Sequence, residues 1–137
     1  MPEAVNILAT PDSRDPIARM RVYQLAVELL VEAWPDALEL SQHPMTIKVS
    51  DQLYSAVGSI EARIADGYSR SSGKDRSRFF EYALSSVRES VTWYRAARPI
   101  LGIELTTKRW ETLEEMRRLL LTIIPRERDR NIKRRGD

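Results

Sequence analysis

Apolar residues recur along this chain at helical steps, and proline, glycine and serine interrupt them often enough to mark off four amphipathic segments. The first follows Asp15-Pro16, a capping residue ahead of a proline suited to a first helical position. Beyond it Met20, Tyr23, Val27, Leu30 and Trp34 form one apolar row, and Val22, Ala26, Leu29 and Ala33 form a second row beside it. This predicts a helix from Ile17 to about Trp34, apolar over more than half its girth and ended by Pro35. The stretch from Asp36 to Ser50 is broken by Pro44 and meets no partner strand, so it reads as a loop that turns into a second helix between Pro44 and Ser50.

In that second helix Leu53, Ala56, Val57, Ile60, Ile64 and Tyr68 make a single stripe, with Gly67 near its end. A serine-rich corner comes next, and a third helix is expected from about Lys74 to Arg98. There Phe80, Ala83, Leu84, Val87, Val91 and Tyr94 face inward, while Arg78, Glu81, Arg88, Thr92 and Arg95 face out. Pro99 is expected to stop it and Gly102 to allow the reversal. Thr106 or Thr107 would cap a fourth helix, whose stripe of Trp110, Leu113, Met116, Leu120 and Ile124 runs to Pro125. Four such helices on short connections predict an all-α, antiparallel up-and-down four-helix bundle. It would occupy residues 16–125, after a flexible N-terminal segment (1–15) and before a basic C-terminal tail (126–137) reaching into solvent.

The 137 residues suffice for one domain with its own core. There is no cysteine, which excludes a disulfide framework and thiolate metal chemistry. The opening residues lack the basic start and apolar centre of a signal peptide, and no apolar run approaches the ~20 residues that cross a bilayer. A cytoplasmic protein without membrane contact is the expectation.

Charge changes the picture through its distribution, since the net is only +2. Residues 1–62 hold four Lys/Arg against nine Asp/Glu, whereas residues 63–98 hold eight against four and residues 126–137 hold six against three. Such asymmetry suits either an anionic partner or acidic and basic faces that meet between copies of the chain. Arg70, Lys74, Arg76 and Arg78 crowd the start of the third helix, Arg88 and Arg95 continue along it, and Lys133, Arg134 and Arg135 could add a mobile arm. These nine residues are the candidate nucleic-acid contacts, able to neutralise phosphates without reading sequence. The other reading of the same residues is a charge-complementary surface between subunits. Tyr68, Phe79, Tyr82, Trp93 and Tyr94 could add stacking faces.

Enzymatic chemistry finds little to stand on. His43 is the only histidine, and a carboxylate-bridged metal site in a bundle needs inward glutamates and Glu-x-x-His spacing, which the chain lacks. Gly67, Gly73 and Lys74 imitate a phosphate loop, but with five intervening residues, Asp75 after the lysine and a helix in front. Ser59 and Ser86 have no base to activate them and read as close-packing positions between helices. No catalytic residue, metal ligand or cofactor is expected, and no small-molecule substrate.

The order "DQLYSAVGSIEARIADGYSRSSGKDRSRFFEYALSSVRES" resembles the signature of the four-helix bundle proteins of 23S ribosomal RNA intervening sequences. Gln52, Ala56, Ser59, Ile60, Ile64, Ala65, Gly67, Tyr68, Arg70, Ser72, Asp75, Arg78, Phe79, Ala83, Ser86 and Glu89 fit that pattern in order and spacing. Ser55, Arg63, Asp66 and Ser85 depart from it, standing where the pattern has arginine, asparagine, glutamate and glycine. The resemblance implies a ring-shaped homopentamer. It also links the chain to accessory variability proteins of diversity-generating retroelements, which bind nucleic acid and a reverse transcriptase. Within the matching stretch Arg63, Asp66, Gly67, Tyr68 and Glu89 are expected to shape the corner between the second and third helices, the two carboxylates accepting from neighbouring arginines or Tyr68. Independently, the two apolar rows of the first helix and the "RRLLLTII" run of the fourth exceed what a four-helix core needs, which points to an oligomer.

Overall fold

The computed structural model describes residues 14–130. Among them are a 3-10 turn, Pro16–Arg19, and four α-helices: α1 (Arg21–Leu40), α2 (Ile47–Tyr68), α3 (Gly73–Leu101) and α4 (Ile103–Arg128). Asp15 accepts from the backbone N–H of Ile17 at 3.1 Å, as its place before a proline predicts. The helix so capped is the short 3-10 turn, and α1 begins only after Met20.

Each consecutive pair of helices packs together, while α1 closes more lightly against α4. Side-chain contacts recede in opposite directions along each pair, so neighbours are antiparallel. Ser50 meets Ala37 and Glu61 meets Tyr23 across α1–α2, Ser59 meets Ser86 and Arg63 meets Tyr82 across α2–α3, and Thr106 meets Arg98 and Arg128 meets Glu81 across α3–α4. The four-helix bundle is therefore as expected. Ser59 and Ser86 pack as predicted, hydroxyl to hydroxyl at 2.8 Å, where α2 and α3 run close.

The core collects one face from each helix: Leu25 and Leu29 from α1, Leu53, Ile60 and Ile64 from α2, Phe80 and Val87 from α3, Leu113, Met116 and Leu120 from α4. Each large apolar side chain contributes ~1.5–3 kcal/mol by leaving water. Of the two apolar rows on α1, the bundle buries Val22, Ala26, Leu29 and Ala33 and leaves Met20, Tyr23, Val27, Leu30 and Trp34 half-buried. On α4, Trp110 stands outside the core at 40% exposure, correcting its placement on the inward stripe.

Three helix ends also differ from expectation. Pro35, Pro99 and Pro125 lie inside α1, α3 and α4, each of which continues past its proline. A proline within a helix loses one backbone hydrogen bond and crowds the preceding turn. None of the three is buried, so the helix has room to bend there, and packing pins the residues beyond the proline. Asp36, Ala37 and Leu40 are buried beyond Pro35, Ile100 packs on the core beyond Pro99, and Glu127 is buried beyond Pro125. The last point corrects the tail boundary, since Arg126, Glu127 and Arg128 belong to α4. Gly102 alone separates α3 from α4 and takes a positive φ of 90°, a conformation open to glycine. It also precedes the first residue of α4, which displaces the expected threonine cap. Thr106 sits a turn inside the helix, donating to the Gly102 carbonyl and accepting from Arg98 Nε.

No described helix is long and apolar enough to cross a membrane.

Candidate nucleic-acid interface

The corner between α2 and α3 is built around one buried arginine. Ser72 caps α3 by accepting from the Asp75 N–H at 3.1 Å, and Gly73, the first helical residue, lies against the backbone of Glu127 and Arg130 so closely that a β-carbon would overlap the Glu127 carbonyl oxygen. One turn on, Arg76 is only 5% exposed. Its Nη1 donates to the Tyr68 carbonyl at 2.7 Å and the Arg70 carbonyl at 3.4 Å, and its Nη2 reaches Glu127 Oε1 at 3.4 Å. Arg130 donates to the same carboxylate at 3.1 Å. Arg76 thus ties the free carbonyls at the end of α2 to the last turn of α4. It is withdrawn from the candidate phosphate contacts, because all the space around its guanidinium is taken by the protein.

Gly67 serves the same corner by closeness: a methyl there would come within 2.7 Å of the Phe80 ring. Tyr68 lies under the Arg76 guanidinium, 5.2 Å from its ring centre. Of the two carboxylates expected to pair with neighbouring arginines here, one does. Asp66 makes a surface pair with Arg63 at 3.6 Å, and Glu89 is exposed on α3 with no hydrogen bond or ion pair among the described residues.

What the corner presents outward is a cluster of arginines on aromatic rings. The Arg70 guanidinium lies 4.2 Å from the centre of the Phe79 ring and that of Arg78 5.4 Å from the same centre. Phe79 meets Tyr82 edge to face at 5.4 Å, and Arg63 approaches Tyr82 at 6.0 Å. Tyr82 is 45% exposed. A guanidinium held over a ring face is pre-positioned while its N–H groups remain open to solvent, and such groups suit phosphate oxygens. Arg70 and Lys74 are exposed and make no ion pair among the described residues, and Arg78 has Asp75 as a surface neighbour at 3.5 Å. Lys74 and Arg78 share a shallow recess with Arg128 of α4, which sequence spacing did not bring to this place because it lies 50 residues away along the chain.

Arg88 and Arg95 lie elsewhere. They line a groove of about 630 Å³ between α3 and α4, together with Arg117 and Arg118, over a floor that includes Val87, Val91, Trp110 and Leu113. The sequence-predicted basic set is therefore divided between the corner and this groove. Lys133, Arg134 and Arg135 lie outside the described residues.

A second polar centre, unforeseen in the sequence, joins α1, α3 and α4. Asp36 is 3% exposed and accepts from Tyr94 Oη at 2.7 Å and from Arg109 Nε at 2.8 Å and Nη2 at 3.3 Å. Glu32 completes the set, 3.3 Å from Arg109 Nη1. Burial, then the charge and hydrogen bond of Asp36, push the Tyr94 hydroxyl far above its ordinary value. Burial also raises Glu32, against the pull of Arg109. For Arg109 burial acts downward, but the hydrogen bond and charge of Asp36, with Glu32, outweigh it and the net shift is upward. Every charge here is held by another, so the group ties helices together. His43 bonds to Glu39 at 3.1 Å just past the end of α1 and makes no hydrogen bond or ion pair with this group among the described residues.

No curated protein and no solved structure matches this chain. A family model described as the 23S rRNA-intervening sequence protein matches residues 18–122, from just before α1 to the last turns of α4, and includes the α2–α3 corner. Over that span the chain has the family's pattern and an all-α bundle of four helices, and it belongs to the 23S rRNA-intervening sequence protein family.

Proposed function

We propose that the protein is a non-enzymatic, self-assembling scaffold of the cytoplasm that binds nucleic acid through the α2–α3 corner, as an accessory to a reverse transcriptase or an RNA-processing system. One observation carries the reading: Arg70 and Arg78 both lie on Phe79, beside half-exposed Tyr82, with Lys74 adjacent and Arg70 and Lys74 free of ion pairs among the described residues. Fixed guanidinium groups with open N–H edges neutralise phosphates, and an exposed tyrosine offers a face to an unpaired base. The family pattern includes Arg70, Arg78 and Phe79, and its ring of five copies would repeat the patch around one assembly.

Binding of the purified protein to labelled RNA and DNA across a salt series tests this. Affinity should fall steeply with salt, and Arg70→Glu with Arg78→Glu should weaken binding and flatten the salt dependence. Absence of binding at low salt would overturn the reading and leave a protein-interaction scaffold.

A further inference from the structure

Among the described residues, two of the apolar surfaces left uncovered are opposite in charge. One is the outer row of α1, where Tyr23, Val27 and Val31 stand one turn apart, each half-buried, with Glu28 and Glu32 alongside. The other is the α3–α4 groove. Val87, Val91, Trp110 and Leu113 form its floor, and four arginines stand around it against Glu111 and Glu114. Arg117 is occupied by Glu114 at 2.6 Å and 2.9 Å, whereas Arg88 and Arg95 are exposed and make no ion pair among the described residues.

We infer that the outer row of α1 in one copy seats in the α3–α4 groove of the next, with exposed Glu28 against the Arg88 and Arg95 side of the rim, Glu32 staying with Arg109 of its own copy. This rests on the reading of the protein as a self-assembling scaffold and names the two faces that would meet. The apolar floor decides for a protein occupant over a phosphate backbone, which would leave the valines and Trp110 unmatched. The dimensions agree, since Tyr23 to Val31 spans about 12 Å of helix and Arg88 to Arg95 about 10 Å at 1.5 Å per residue. Unlike surfaces match better than like ones, because the groove carries four arginines against two glutamates, one of them already held by Arg117, whereas the α1 row carries exposed Glu28. The contact is therefore head-to-tail, of the kind that closes into a ring or runs on as a filament. It also removes Arg88 and Arg95 from the phosphate-binding surface and leaves that role to the corner.

Light scattering on the full-length protein, with Glu28→Arg, Arg88→Glu and the double variant, tests the pairing, circular dichroism confirming that each is folded. The wild type should run as a multi-subunit species. Each single reversal sets like charges together and should weaken association at least about tenfold. The double variant restores opposite charges in swapped positions and should regain the wild-type mass. Single variants that keep that mass would overturn the inference, as they would if the α1 row were covered by the chain's own first 13 residues or by an unrelated partner. A double variant that stays dissociated would overturn it too. A wild type that is monomeric at every concentration would overturn the self-assembly reading itself. Nucleic-acid binding, measured on the same samples, is judged separately.

Discussion

The Tyr94 hydroxyl donates to the Asp36 carboxylate at 2.7 Å in the bundle interior, joining the C-terminal third of α3 to the part of α1 that continues past a proline. Because Tyr94 is held protonated far above its ordinary 10.0, the folded state keeps a proton that the unfolded state releases. The stability this provides is complete below about pH 10 and is lost as pH rises beyond it, by up to ~1.4 kcal/mol per pH unit. Tyr94→Phe should remove that part of the alkaline slope, while other tyrosines keep theirs. Urea denaturation of both proteins from neutral pH to beyond pH 10 measures the difference, and parallel slopes would show that Tyr94 is not so held.

Removing Asp36 should be among the most damaging single changes in the chain. Asp36→Ala leaves Arg109 half-buried without its main partner and Tyr94 without its acceptor, which costs roughly 3–5 kcal/mol. Glu39→Ala, three residues on and exposed, should cost under about 0.5 kcal/mol. Chemical denaturation of the pair checks the contrast.

Gly73 should resist even alanine. A β-carbon there meets the backbone of Glu127 and Arg130, and backbone cannot swing aside as a side chain can. Gly73→Ala should destabilise by about 1–3 kcal/mol, and hydrogen exchange should rise first in the last turn of α4. Unchanged protection of that turn would contradict the close approach.

The corner arginines should separate by role. Arg76→Ala should lower the melting temperature, since it leaves Glu127 buried and the end of α2 unbonded. Arg70→Ala should leave the melting temperature nearly unchanged and weaken nucleic-acid binding. Thermal melts and salt titrations on both variants give the comparison, and equal effects of the two on binding and stability would refute the division.

Much of the fold was legible because the apolar stripes of α2 and α3 are single and regular. Leu53, Val57, Ile60 and Ile64 on one, and Phe80, Ala83, Val87 and Tyr94 on the other, lie where their spacing places them. The stretch around the α2–α3 corner identified the family by its order of residues. By itself, then, the sequence determined the number of helices, their inward faces in the middle of the chain and the family. Those are local properties, set by periodicity and by residue type at fixed offsets.

Only the tertiary structure decided the rest. Pro35, Pro99 and Pro125 read as stops, yet packing of the residues beyond each outweighs the lost hydrogen bond. Which of two apolar rows on α1 enters the core depends on how α2 and α4 approach it. Arg76, Arg70 and Arg78 look alike within nine residues of sequence, but Glu127 and two carbonyls from other elements bury the first and leave the others on Phe79. Asp36, Tyr94 and Arg109 are scattered over 73 positions, and no spacing rule links them. Partners far apart in sequence meet only when the helices pack, so the fate of each charged side chain is settled there.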